Sequence, residues 1–316
     1  MIATLMLLLI LPLPALQSEA EEAYRQQFQE YNRISRLTDP AEQAGRYLDF
    51  LGMEIDERLV GPALTGLQGD LQALTQAQSF DAVYELADQW FELRNELTPI
   101  ALALEAAMAS GEPESIVTYG EPFYESQAVP QVALVLAQSF SQLGDAAKMR
   151  QYSEIALENF PFEQTWGLAY EMVGQDEAAE NWAAAAAMSK RIQDGLNAAP
   201  EGVSASQWDE IGLYLQTTVA GAAYEEGRWQ QAINEYNTLL GLAPQSDEAY
   251  YFIGQGELKL ENIAASMNSF AKSYILDGGY SDAAYDMLRT IYSANTGGNL
   301  QGMANVVDDA RRELRN

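Results

Sequence analysis

The side chains that could carry chemistry in this chain are carboxylates, tyrosines, hydroxyls, lysines and arginines, because its 316 residues include no cysteine and no histidine. Disulfides, thiolate nucleophiles, iron-sulfur clusters and Cys-ligated zinc are excluded. Without imidazole there is no Ser-His-Asp triad, no histidine base and no His-based zinc or iron site. Carboxylates are abundant, with 46 Asp and Glu. At that density about seven acid pairs fall at any chosen spacing by chance, so a pair picked by eye does not mark a glycosidase. A helical carboxylate-dependent glycan hydrolase of the cell envelope is thus an alternative that no pattern favours, and no enzyme is expected. There is also no phosphate-binding G-x-x-x-x-G-K-[ST] loop and no G-x-S-x-G elbow. Asp277-Gly278-Gly279 with Asp282 lacks the ligand spacing of an EF-hand, and Asp308-Asp309 reads as a solvated face. No cofactor and no metal are expected.

Seventeen Lys and Arg against those acids leave a net charge of −29, a surface that repels phosphate backbones and anionic lipid headgroups. Nucleic acid is therefore not an expected partner. The first twenty residues, MIATLMLLLILPLPALQSEA, carry the apolar run Leu5 to Leu11, the helix breakers Pro12 and Pro14, and small residues at Ser18 and Ala20. That is the outline of a secretory signal peptide whose apolar segment is too short to span a bilayer, although no Lys or Arg precedes it. Export to a periplasm is the expectation, with no stable membrane insertion after cleavage.

From Glu21 onward there is almost no period-2 alternation. Apolar positions recur three and four apart, as in DAVYELADQWFELRNEL, PQVALVLAQSFSQL, DEAAENWAAAAAMSKRI and DEAYYFIGQGELKL, punctuated by Gly, Pro and Asn. Short breaks at Ser110-Gly111-Glu112-Pro113 and Asn159-Phe160-Pro161 favour antiparallel neighbours. The pattern predicts an all-α chain.

Laying Leu213 to Ser246 over Asp247 to Tyr280 without a gap puts Ala220 on Gly254, Gly227 on Glu261, Ala232 on Ser266 and Tyr236 on Phe270. One unit supplies Val219, Ala220, Ala232, Tyr236 and Pro244; the other supplies Tyr250, Ile253, Gly254, Ser266 and Phe270. This 34-residue pattern resembles the tetratricopeptide repeat. Two worn units fit less tightly: Leu136, Ala137, Phe140, Gly144, Ala156 and Pro161, then Trp166, Gly167, Tyr170, Gly174, Ala179 and Ala183. A third C-terminal unit begins with Met287 and Ile291 and is interrupted by Thr296-Gly297-Gly298. Between Glu21 and Gln127 only the helical period survives, although Ala101 to Tyr124 could be a worn pair with Gly111 at its turn. The expected order is a signal peptide over 1–20, a divergent helical region over 21–129, degenerate helix pairs over 130–194, a loop or hinge over 195–207 and repeats over 208–316.

The resemblance implies an antiparallel helix-pair solenoid wound into a right-handed superhelix, with function on the concave face presented by the first helix of each pair. There Gly227, Ala220, Gly254, Ala232, Tyr236, Phe270 and Pro244 are frame. The face-lining positions are Tyr214, Thr217, Gly221, Tyr224 and Glu225; then Glu248, Tyr251, Gln255, Leu258 and Lys259; then Asp282, Tyr285, Arg289 and Tyr292. Tyr214, Tyr224, Tyr251, Gln255, Lys259, Tyr285, Arg289 and Tyr292 are the candidate partner-binding residues, because tyrosine pairs a flat apolar surface with a polar tip at low entropic cost. Family members that clamp acidic tails carry Lys and Asn at groove positions held here by Thr217, Gly221 and Tyr251. The expectation is therefore a scaffold or adaptor binding a basic or aromatic-rich peptide or protein segment, with a structural spacer as the other non-catalytic alternative.

Overall fold

The computed structural model describes residues 13–315, so the greater part of the expected signal peptide, residues 1–12, lies outside the described residues. Every regular element among the described residues is an α-helix, and the chain divides into two compact units, one ending at Ile155 and one beginning at Ala156. The first unit holds α1 (Leu13–Ile34), α2 (Pro40–Leu51), α3 (Glu57–Gln76), α4 (Phe80–Arg94), α5 (Leu97–Ser110), α6 (Pro113–Gln127) and α7 (Pro130–Leu143). The boundary falls within α8 (Ala146–Asn159). The second holds α9 (Phe162–Ala178), α10 (Trp182–Gly195), α11 (Ala205–Glu225), α12 (Trp229–Leu242), α13 (Asp247–Lys259), α14 (Ile263–Ile275), α15 (Ser281–Asn295) and α16 (Met303–Glu313). No helix among the described residues is long and apolar enough to cross a membrane.

Helix starts follow from local chemistry. Asp39 accepts from the Ala41 and Glu42 amides with Pro40 at the first helical position, Ser246 accepts from the Ala249 amide, and Ser204 with Gln207 forms a capping box. Pro113 and Pro130 open α6 and α7, where a missing N–H costs nothing.

One turn recurs. Gln78, Glu180, Gly227 and Glu261 have φ of 59°, 56°, 72° and 63°, and the residue after each has φ between −88° and −83° and ψ between 56° and 64°. In each, the amide of that following residue donates to the carbonyl five positions back: Ser79 to Leu74, Asn181 to Asp176, Arg228 to Ala223 and Asn262 to Glu257, at 2.7–2.9 Å. This closes the last turn of the first helix and reverses the chain. The α3–α4, α9–α10, α11–α12 and α13–α14 pairs thus share one connection. Gly111 and Gly144, with φ of 75°, end α5 and α7, as their spacing predicts.

Two details depart from the sequence reading. Gly174, aligned near a turn, lies inside α9, and the reversal occurs at Glu180. The stretch DEAAENWAAAAAMSKRI is accordingly two helices and not one, broken between Ala178 and Trp182. The Gly- and Pro-rich connection is non-helical over 196–204, and α10 packs against α11 across it inside the second unit.

Within the second unit each helix from α9 to α14 packs on the next, and α16 packs on α14, which is the antiparallel helix-pair stack that the spacing predicts. Ala220, Ala232, Tyr236, Ile253 and Phe270 are buried. A Cβ at Gly254 would lie 3.0 Å from the Phe270 ring, and the buried Ser266 hydroxyl donates to the Gly254 carbonyl at 2.8 Å. In the first unit Tyr47, Leu67, Leu71 and Trp90 centre the core formed by α2 to α5.

The turn residues give a stability test. Gly227→Ala places a Cβ in the left-handed region and is expected to lower stability by about 1 kcal/mol, whereas Glu261→Gly removes that strain and is expected to raise it by up to about 1 kcal/mol. Urea unfolding midpoints of the two variants, moving in opposite directions from the wild type, check this.

Candidate functional site

A groove of about 200 Å³ opens in the second unit between α11 and α13. Tyr214, Thr217, Thr218, Gly221, Tyr224 and Glu225 come to it from successive turns of α11, and Glu248 and Phe252 from one turn of α13. Tyr236 of α12, Glu177 of α9, Trp182 of α10 and Tyr280, at the mouth of α15, complete it.

The aromatic lining is a continuous ring cluster with Phe252 at its hub. Phe252 stacks on Tyr236 at 5.3 Å with an 8° interplanar angle, and meets Tyr224 at 5.0 Å and 69° and Tyr280 at 5.5 Å and 64°. Tyr251 closes the cluster from behind, at 5.4 Å from Phe252 and 5.0 Å from Tyr280. Such inclined contacts each add about 0.5–1.5 kcal/mol beyond burial. Tyr236 is buried at 2% exposure, so the wall is anchored in the core.

Three carboxylates stand at the groove, and no Lys or Arg lines it. Glu177 accepts from the Tyr214 hydroxyl at 2.5 Å and from Thr218 Oγ1 at 2.6 Å, which fixes the Tyr214 ring across the groove. Burial first, and then the hydrogen bond to Glu177 and its charge, push the Tyr214 phenol well above its ordinary value, so it stays a neutral donor. Glu225 is exposed at the rim. Glu248 is half-buried and has no hydrogen-bond or ion-pair partner among the described residues. Burial, then the neighbouring Asp247, push its pKa up. Asp247 itself accepts the Tyr280 amide at 2.8 Å, and its carboxyl group occupies the space a Cβ would need at Gly278. That contact places Tyr280 over the groove.

Of the eight candidate residues, Tyr214 and Tyr224 line this groove, beside Thr217, Gly221, Glu225 and Glu248 from the same inferred face. Tyr251 lies behind the wall, with Gln255 donating to its hydroxyl at 3.0 Å. Lys259 sits 5.7 Å from the Trp229 ring centroid. Tyr285 packs on Tyr274 at 5.0 Å, Tyr292 donates to the Gln301 carbonyl at 3.1 Å, and Arg289 is exposed on α15; these three do not line the groove. Glu177, Trp182, Thr218, Phe252 and Tyr280 are the groove residues that the sequence reading missed, and Tyr236, read there as frame, also reaches the groove.

No family model matches the chain and no curated protein matches it. Among solved structures it is similar to a tetratricopeptide repeat protein from Parabacteroides merdae ATCC 43184, at 12% identity over 87% of this chain and 99% of that one, with a TM-score of 0.32. It is also similar to the TPR2AB-domain:pHSP90 complex of yeast Sti1, at 13% identity over 93% of this chain and 99% of that one, with a TM-score of 0.32. Both carry the repeat that the 34-residue spacing resembles.

Among the described residues no cluster of three or more acids is arranged to hold a metal ion. A second depression, of about 210 Å³ in the first unit, is apolar, with Phe91, Pro99, Ile100 and Pro122 around Asp88 and Tyr119. One perturbed carboxylate lies away from both. Asp70 of α3 is 8% exposed, its Oδ2 has no hydrogen-bond partner, and burial pushes its pKa up to about 6.

Because the folded value is raised from 3.8 to about 6, Asp70 takes up a proton on folding between those values and is ionised at a cost above them. Its contribution is most favourable below the unfolded value and is lost as pH rises through about 6. Asp70→Asn is therefore expected to stabilise the chain by about 2–3 kcal/mol at pH 7.5, with the gain shrinking towards pH 4. Denaturant midpoints of variant and wild type at the two pH values measure it.

Proposed function

We propose that this chain is a non-catalytic scaffold or adaptor of the bacterial cell envelope that holds a peptide or protein segment in the α11–α13 groove. The observation that carries this is the lining itself: Tyr224, Phe252 and Tyr280 offer apolar rings, while Tyr214, Thr217 and Thr218 offer hydroxyls along one helix face. A segment laid there would bury its side chains against rings and find polar tips for its backbone, which is the composition of protein-binding hot spots. The groove lacks the Lys and Arg that would grip an acidic tail, so basic or aromatic-rich segments fit it better. The envelope setting is supported by the Leu5 to Leu11 run, the two prolines and the small residues before Glu21.

Gly221 separates binding from folding. A Cβ built there meets only the Tyr236 hydroxyl, at 3.9 Å, so the backbone accepts a side chain at this groove-lining position. Gly221→Leu is expected to raise stability by about 0.8 kcal/mol through helix propensity. The same change is expected to weaken peptides selected on the full-length wild type from a displayed random library by at least about tenfold, a loss of about 1.4 kcal/mol. Selected peptides that bind the variant unchanged, or no enrichment above a bare support, would overturn the proposal.

A further inference from the structure

Glu248 is the groove carboxylate without a direct partner: half removed from water in the first turn of α13, it has the field of that helix end but no cation and no donor on it. Leaving such a group unpaired costs free energy, and a positive group from outside recovers it. Beside it, Tyr224 and Tyr280 meet Phe252 at 69° and 64°, so the rings form a corner and not a flat floor. Glu225 at the rim and Glu177, already bonded to two hydroxyls, add negative charge on the other side.

We infer that this corner is a receptor for an arginine side chain of the bound segment, its guanidinium stacked against the Tyr224, Phe252 and Tyr280 rings and bonded to the Glu248 carboxylate. The inference rests on the peptide-binding function proposed above and names the residue that the segment must supply. Arginine fits better than lysine for two reasons on the page. Its planar, weakly hydrated head stacks on ring faces, and its fork of donors can satisfy both oxygens of a carboxylate that has no other donor. Lysine would bring a compact, strongly hydrated charge into a space walled by rings. The acidic chain then assists arrival, while the corner provides the selection.

The test uses the full chain and an acetylated, amidated heptapeptide carrying one arginine between glycines and serines, together with its citrulline and lysine counterparts. Citrulline keeps the shape and removes the charge. Isothermal titration or peptide-observed NMR is expected to show the arginine peptide binding at least about tenfold more tightly than the citrulline peptide, the size of a charge-assisted hydrogen bond. Glu248→Gln is expected to erase that difference. Asp286→Asn, the same change of charge at an exposed α15 position outside the groove, is expected to alter it less than about twofold. Equal losses from the two variants would mean general attraction to an acidic surface and would overturn the inference, as would equal binding of citrulline or of lysine. Library-selected peptides that are blocked by Gly221→Leu and indifferent to arginine would sink this inference and leave the proposed function standing.

Discussion

A single backbone constraint organises the second unit: the first helix of each pair must end on a residue with positive φ. Glu180, Gly227 and Glu261 meet it, and the amide that follows each returns to a carbonyl five residues back. That bond leaves the chain one direction of travel, so the second helix lies against the first and a small residue on one faces a ring on the other. Gly254 against Phe270 is the tightest case, with Ser266 bonded to the Gly254 carbonyl. Forcing a larger side chain into that contact would cost about 1–3 kcal/mol. The same reversal sets α11 and α13 side by side with α12 packed against both, and the groove is the space left between their outward turns.

The groove is also continuous with the core. Tyr236 is buried and stacks on Phe252, which in turn touches Tyr224, Tyr251 and Tyr280. Ring positions at the surface are therefore fixed by ring positions inside, and a partner meets a surface that needs little ordering. Such preorganisation lowers the entropic cost of association. Glu177 does the same for Tyr214, and Asp247 for Tyr280.

Much of this was legible in the sequence. Gly111, Gly144 and Gly227 announced their turns because glycine is the usual occupant of positive φ. Gln78, Glu180 and Glu261 hold the same conformation without being glycine, and so the α3–α4 pair passed as undifferentiated helix and Gly174 drew the turn to the wrong place. The α11 face followed from the repeat resemblance, and Tyr214, Thr217, Gly221, Tyr224 and Glu225 do share the groove. Phe252 escaped because it adjoins Tyr251 in sequence, and adjacent helical residues point in different directions; the spacing gave no sign that both would join one ring cluster. Tyr280 lies in the connection before α15, and Glu177 lies 37 residues before its partner Tyr214, in a pair whose spacing departs from 34. Periodicity along one helix does not register contacts made between pairs.

The claim on which the rest turns is that binding happens at these rings. Fluorotyrosine incorporated through the full chain, with signals assigned by single Tyr→Phe changes, reports on each ring separately. On titration with a peptide selected on the wild type, the account predicts that the Tyr224 and Tyr280 signals move together along one binding curve, while Tyr285 and Tyr292 on α15 stay in place. Movement confined to Tyr285 and Tyr292, with Tyr224 and Tyr280 unchanged at saturation, would contradict it.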